Sequence, residues 1–497
     1  MDRLKKIGKV KTFSSKEIRS SRIGIGFEKL DRDAFEPEKA YDKVAATGAK
    51  FVRIQSGWAK TEKEKGVYDF VWLDSIVDNL VRRGMIPWMC LCYGNGVYDE
   101  YARGVFGAVG CDPRTEEAKE GWVNYVKATV SRYKGKVNSY EVWNEPDGVW
   151  CWKHGVSGKE YGEFVILTAK AVREADPEAK VIFGSQCMFS LEWLAGVLST
   201  GAADYCDAYT YHNYFPDEVK LPPSVQAAKA LIHEYNPAVK IIQGETGCPS
   251  RSDGSGAMYC GAWTEARQAK FMARHTVTDF ISDVEFCSYF SCMDMIEALN
   301  GRTDDAASYK DFGYFGILSA TFDKNGKATG VYTPKPSYYT FQTLASVFKE
   351  EFTVTEVPVM ISAFSRPSPR LLSRREMEAG SFMRAGFSRP NGSKAFAYWY
   401  PTDLLTTSFE STITIESAVK GIPRLIDLLD GSVYEIPEKM MEKSSPTKEV
   451  DINGKTSDVP AEKTYNEKTS FRRFVNFPVR DYPLLLTFGD FAEIEEC

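Results

Sequence analysis

The feature that most constrains this chain is a repeated alternation. Eight short apolar runs alternate with longer amphipathic stretches between residues 22 and 350. The apolar runs fall at 22–28, 51–55, 86–93, 139–143, 181–184, 208–212, 240–244 and 286–290. Several are apolar throughout, as strands buried on both faces must be. In the stretch 70–84, Leu73, Ile76, Val77, Leu80 and Val81 recur at i, i+3, i+4 spacing, which predicts a helix with one buried face. Helices are likewise expected near 37–48, 115–133, 158–175, 224–235, 264–281 and 336–348. Strand–helix alternation implies an α/β fold with a parallel sheet. Eight units imply a closed (β/α)8 TIM barrel. The rival is an open doubly wound sheet, but its phosphate fingerprints are missing. Gly24-x-Gly26 lacks a third glycine, and there is no G-x-x-x-x-G-K-[ST].

Beyond residue 350 the period changes to two, at 395–400, 412–416 and 484–488. Asp430-Gly431 between two apolar runs signals a hairpin. A C-terminal β-sandwich over 351–497 is therefore expected, beside a barrel over 22–350. Residues 1–21 form an N-terminal segment, with a strand of the sandwich as one role open to it. The Lys/Glu-rich stretch 438–468 is expected to be a long exposed loop.

Charge and cysteine usage exclude several functions. Lys+Arg is 62 against Asp+Glu 68, so the basic footprint of a nucleic-acid binder is absent. No apolar run is long enough to span a membrane. No apolar segment follows Met1-Asp2-Arg3-Leu4-Lys5-Lys6, so no signal peptide is visible and a cytoplasmic setting is expected. A secreted form whose signal has been trimmed stays open. The 11 cysteines are scattered without a C-x-x-C pair, and there are only 4 histidines. Neither a structural metal nor a disulfide framework is expected, and no cofactor. Ser-His-Asp catalysis has no G-x-S-x-G to support it.

The chemistry concentrates at two strand ends. Glu141-Val142-Trp143-Asn144-Glu145-Pro146-Asp147 closes the fourth strand, and Gln243-Gly244-Glu245-Thr246-Gly247 closes the seventh. The C-terminal ends of barrel strands are where active sites are built. Strands four and seven lie across the mouth from each other, so Glu145 and Glu245 can face one sugar. Paired carboxylates are what glycoside hydrolysis requires: one protonated to donate to the leaving oxygen, the other ionised. Arg53 is a charge on an apolar strand and needs a partner. A carboxylate beside an arginine has its pKa lowered, whereas an acid buried beside aromatics such as Trp143 and Trp150 has it raised. Trp150 and Trp152 after strand four, with Trp58, Tyr93 and Asn95 at the ends of strands two and three, offer ring faces and polar groups for a pyranose.

Asn144-Glu145-Pro146 and Glu245, on strands four and seven, resemble the catalytic pair of the clan A retaining glycoside hydrolases. The Trp-Asn-Glu-Pro-Asp form and the following sandwich look most like family 39. The resemblance implies Glu145 as acid/base, Glu245 as nucleophile and Asn144 on the sugar 2-hydroxyl. It also implies Arg53, His212 and Tyr214 around the nucleophile. The tryptophan that the clan usually places after strand eight is missing from 287–291, which leaves Phe290 or Tyr289 as the sugar platform. The implied activity is hydrolysis of β-linked glycosides (β-xyloside, β-glucoside or β-galactoside) by double displacement, exo-acting on short oligosaccharides. The implied partner is a carbohydrate, with no nucleic acid or membrane; a homo-oligomer is open. An endo-β-glycanase of the same clan and a non-catalytic carbohydrate-binding barrel are the alternatives.

Overall fold

Eight parallel strands close into a barrel in the computed structural model of this chain. In order they are Ile23–Gly26, Phe51–Gln55, Ile86–Leu91, Ser139–Val142, Lys180–Gln186, Ala208–His212, Lys240–Thr246 and Cys287–Tyr289, called strands one to eight below. The ring closes where Ile23, Gly24 and Ile25 pair with Cys287, Ser288 and Tyr289. The structure describes residues 1, 3–103, 109–258, 260–297, 311–324, 326–365, 382–404, 407, 409–442, 447–450, 452–459 and 471–496. The chain divides into two units, Phe13–Ala345 and Met1–Thr12 with Ser346–Cys497.

The helices between strands begin where the sequence supplies a cap. Thr115, Ser157, Ser190 and Thr264 each accept an N–H of the first helical turn, opening Glu116–Tyr133, Gly158–Ala175, Leu191–Leu198 and Glu265–Ile281. Helix Val71–Arg82 buries Leu73, Ile76, Val77 and Leu80, the stripe read from the sequence, though Val81 is exposed. Inside the barrel, Trp88, Ile182, Ala208, Ile242 and Phe286 pack with Phe51 into an apolar plug. The Arg53 guanidinium lies over Trp88, 5.5 Å from the ring centre, so the polar layer starts directly above that plug.

Two expectations change. The last helix, Pro336–Val347, does not follow strand eight directly. Two small antiparallel pairs intervene: Met295–Ile296 with Phe312–Gly313, and Leu318–Phe322 with Ala328–Pro334. The stretch 438–468 is not simply a loop either. It contains the hairpin Thr447–Val450 with Thr456–Val459, and its residues 443–446, 451 and 460–468 lie outside the described ones.

The other unit is antiparallel, with sheets of eight and four strands. Their facing side chains, among them Ile413, Ile415, Leu425, Phe474, Phe477, Leu484 and Leu486, make one buried core. Gly431, at φ 74°, turns Pro423–Asp427 into Ser432–Glu435. The strand Lys5–Val10 pairs with Ser432–Glu435 on one side and Ile494–Glu496 on the other. Among the described residues, no helix is long and apolar enough to cross a membrane.

Candidate active site

Arg53, on strand two, is completely buried and organises the barrel mouth. Its Nη1 donates to Glu245 Oε2 at 2.8 Å and to Glu28 Oε2 at 2.9 Å. Nε and Nη2 both reach Glu141 Oε2, at 2.8 and 2.6 Å. Nη2 also donates to Asn144 Oδ1 at 2.8 Å. One guanidinium therefore faces three carboxylates. Uncompensated buried charge is expensive, so the cluster must take up protons. Burial, reinforced by the neighbouring carboxylates, pushes the Glu28 carboxyl up to about 7 in spite of Arg53.

Backbone irregularities aim the remaining groups. Strand six pairs His212 with Glu245 after pairing Tyr211 with Gln243, so Gly244 is the extra residue of a bulge. A Cβ on Gly244 would stand 3.4 Å from the His212 ring. Trp143 and Glu145 sit at φ 67° and 46°, a left-handed conformation that side chains rarely adopt. Such strain costs ~1–3 kcal/mol per residue and collects at functional sites. The turn is held by Trp143 Nε1 donating to Cys151 O at 2.7 Å and by Gly148 N donating to Glu145 O at 3.0 Å.

Glu145 and Glu245 meet across His212. His212 Nδ1 lies 2.9 Å from Glu145 Oε1 and 3.7 Å from Glu245 Oε2. The facing oxygens of the two glutamates are within 4.8 Å of each other. Trp150 Nε1 donates to Glu145 Oε2 at 2.6 Å, and the Tyr214 hydroxyl donates to Glu245 Oε1. His212 Nε2 faces Ser185 Oγ at 3.0 Å.

The protonation pattern corrects one expectation. Burial pushes Glu145 up, but hydrogen bonds from His212 and Trp150, with the His212 charge, bring it below the usual carboxylate range. His212 moves the other way: burial lowers it, but the charge of Glu245 and the contact with Glu145 raise it above the ordinary imidazole value. A proton shared by the pair is therefore favoured on His212 over Glu145. Aromatic burial beside Glu145 does not decide its state, because the Trp150 indole offers its N–H rather than its face.

Of the expected sugar contacts, Trp150, Asn144 and Tyr214 stand at the carboxylates. Asn144 commits Oδ1 to Arg53, while its Nδ2 has Cys151 Sγ at 3.5 Å. Tyr93 is buried, accepts from Gln55 Nε2 at 3.2 Å and lies under the Arg32 guanidinium. Phe290 meets Tyr214 edge-on, 6.5 Å between ring centres, and lies under the Lys29 ammonium. The other three belong to packing. Trp58 is buried, stacked between Tyr98 and Tyr125, with its N–H on Glu62. Asn95 spends its amide on Glu62 O and Val97 N. Trp152 is buried among Trp143, Tyr161 and Phe164. Sequence reasoning passed over Glu28, Ser185 and Thr210, and it quoted Glu141 without giving it a role. Thr210 Oγ1 donates to Glu141 Oε1 at 2.7 Å. For Glu28 and Glu141 the available signal was a charge on or just past an apolar strand, the same signal that singled out Arg53.

The donor atoms of Glu145, His212 and Glu245 are close enough to one another to hold a cation. Arg53 already supplies the positive charge there, and the groups are hydrogen-bonded to one another.

The sequence profile of the glycosyl hydrolases family 39 matches residues 47–367. The chain belongs to family 39. A β-xylosidase of Geobacillus stearothermophilus is 25% identical over 180 residues, which is 32% of this chain and 35% of that relative. The chain thus aligns with about a third of that protein's length. Among solved structures, a family 39 glycoside hydrolase of the gut symbiont Bacteroides cellulosilyticus WH2 superposes with TM-score 0.61 at 18% identity, covering 94% of this chain and 80% of that one. A monomeric β-xylosidase of Caulobacter crescentus CB15 superposes with TM-score 0.57 at 16% identity, covering 97% of each chain. At these identities, the superpositions establish the barrel-plus-sandwich fold that the family 39 chain shares with them.

Proposed function

We propose that this family 39 chain is a retaining glycosidase of short β-linked oligosaccharides, acting from the chain end, with Glu145 as acid/base and Glu245 as nucleophile. The observation that carries the reading is the separation of the two carboxylates. Oxygens within 4.8 Å suit the ~5–5.5 Å class that attacks the sugar directly. An inverting enzyme sets its carboxyl groups ~6.5–9.5 Å apart to leave room for water, so the close facing oxygens support retention. The β-xylosidases of Geobacillus and Caulobacter support a β-xyloside as first substrate.

In the first step the proton shared by His212 and Glu145 passes through Glu145 to the glycosidic oxygen. The C1–O bond breaks, and a Glu245 oxygen bonds to C1. As Glu245 becomes an ester it loses the charge that raises His212, so His212 gives up its proton in this same step. Glu145 is then left ionised to take a proton from water, whose oxygen attacks C1 and frees Glu245. In this reading Asn144 Nδ2 donates to the sugar 2-hydroxyl, a contact that strengthens in the transition state.

The test is a panel of α- and β-linked glycosides, run with Glu145→Gln and Glu245→Gln. Turnover of xylobiose is expected, with a loss of ~10²–10⁴-fold in Glu145→Gln because its leaving group needs a proton. Intact turnover in both variants, or a preference for α-anomers, overturns the reading. Cleavage of polymeric xylan in preference to xylobiose overturns the chain-end action.

A further inference from the structure

Outside the carboxylate cluster, three metal-ligating side chains converge from two loops. Asp99 and Cys111 come from the loop after strand three, and His154 from the loop after strand four. Cys111 Sγ lies 3.5 Å from Asp99 Oδ2 and 3.7 Å from His154 Nε2. All three donor atoms are within 4.8 Å of one another. Bonds of ~2.3 Å to sulfur and ~2.0–2.2 Å to nitrogen or oxygen give tetrahedral edges of about 3.6 Å. The two sulfur distances match those edges.

The surroundings are prepared in the same sense. Asp99 Oδ1 is anchored by the Tyr101 N–H at 2.9 Å, which leaves Oδ2 pointing at the thiol. Next to Cys111, Asp112 is 3% exposed; one of its oxygens pairs with Arg114 and the other has no hydrogen-bond partner. His154 is exposed, which gives an ion a path from solvent. The two loops are already joined by backbone, through Lys153 N donating to Gly110 O at 2.9 Å.

We propose that Asp99, Cys111 and His154 form a binding site for Zn²⁺, with a fourth position open to water. Binding displaces the thiol proton to solvent and leaves Cys111 as a thiolate ligand; the metal keeps its oxidation state. The ion ties the loop after strand three to the loop that carries Trp150. It therefore steadies the indole bonded to Glu145 and takes no part in the hydrolysis itself.

The test uses the full chain, stripped with a chelator and titrated with Co²⁺ as a spectroscopic substitute for Zn²⁺. One equivalent is expected to bind with the near-ultraviolet thiolate-to-cobalt band and the intense visible bands of a tetrahedral site. The Glu145–His212–Glu245 group has no thiol and cannot produce the first band. Cys111→Ser is expected to abolish it. His154→Ala, at an exposed position that should not disturb folding, is expected to raise the apparent Kd by more than the roughly 10–100-fold that outer-shell changes cost. Cys260→Ser, at an exposed cysteine, is the control that keeps the band. A folded wild-type chain that shows no thiolate band at saturating Co²⁺ overturns the proposal. So does a band that survives in both Cys111→Ser and His154→Ala.

Discussion

Replacing Glu28 by Gln should make the barrel less sensitive to rising pH. Glu28 is 2% exposed, shares Arg53 Nη1 with Glu245, and has its other oxygen buried without a partner. Burial raises its carboxyl from 4.5 to about 7. A carboxyl with a raised folded-state value binds its proton more tightly in the folded state than in the unfolded one. Between pH 4.5 and about 7 the unfolded chain has released that proton and the folded chain has not, so stability falls as pH rises through this window. A shift of this size corresponds to on the order of 3 kcal/mol at 1.36 kcal/mol per unit. Below the window both states are protonated and Gln is a close mimic. Above it Gln removes the cost. The assay is urea unfolding of both proteins at pH 5 and pH 8, followed by tryptophan fluorescence. All the tryptophans except Trp399 lie in the barrel unit, so the signal reports that unit. The expected result is a stability difference that moves toward the Gln variant by ~2–3 kcal/mol from pH 5 to pH 8. A difference that stays constant, or moves toward wild type, would refute the idea that the Arg53 cluster holds a proton on Glu28.

Two further outcomes follow from the same geometry. His212→Gln should move the basic limb of the kcat/KM profile to lower pH, because the active proton must then sit on Glu145 alone rather than on a pair that keeps it above the ordinary imidazole value; an unmoved limb contradicts the shared proton. Trp58→Ala should cost ~3–5 kcal/mol in urea unfolding with KM for a β-xyloside unchanged, since the indole is core rather than sugar platform. A raised KM at unchanged stability would return it to the pocket.

What the sequence made legible, it did through pattern and position. The barrel was readable because several of its strands are apolar throughout and amphipathic stretches recur between them. The two glutamates were readable because each closes a strand. The first small pair after strand eight is illegible because Met295–Ile296 and Phe312–Gly313 are two residues each, too short for a period to register. The hairpin in 438–468 escaped because its strands, Thr-Lys-Glu-Val and Thr-Ser-Asp-Val, carry little apolar content. Trp58, Trp152 and Trp150 are the same residue type with different fates, and only the fold decides which indole is core. Arg53 could be seen to need a carboxylate. That it takes Glu28, Glu141 and Glu245 together depends on three strands meeting, which no local pattern encodes. The state of Glu145 depends in turn on which atom of Trp150 faces it.

The most direct test of the catalytic assignment is to trap the glycosyl-enzyme. The protein is incubated with a 2-deoxy-2-fluoro-β-xyloside bearing an activated leaving group, digested and sequenced by mass spectrometry. The label is expected on the peptide containing Glu245, one sugar per chain, with no label in Glu245→Gln. A label on Glu145 or Glu28, or turnover of the natural glycoside with inversion at C1, would contradict the account.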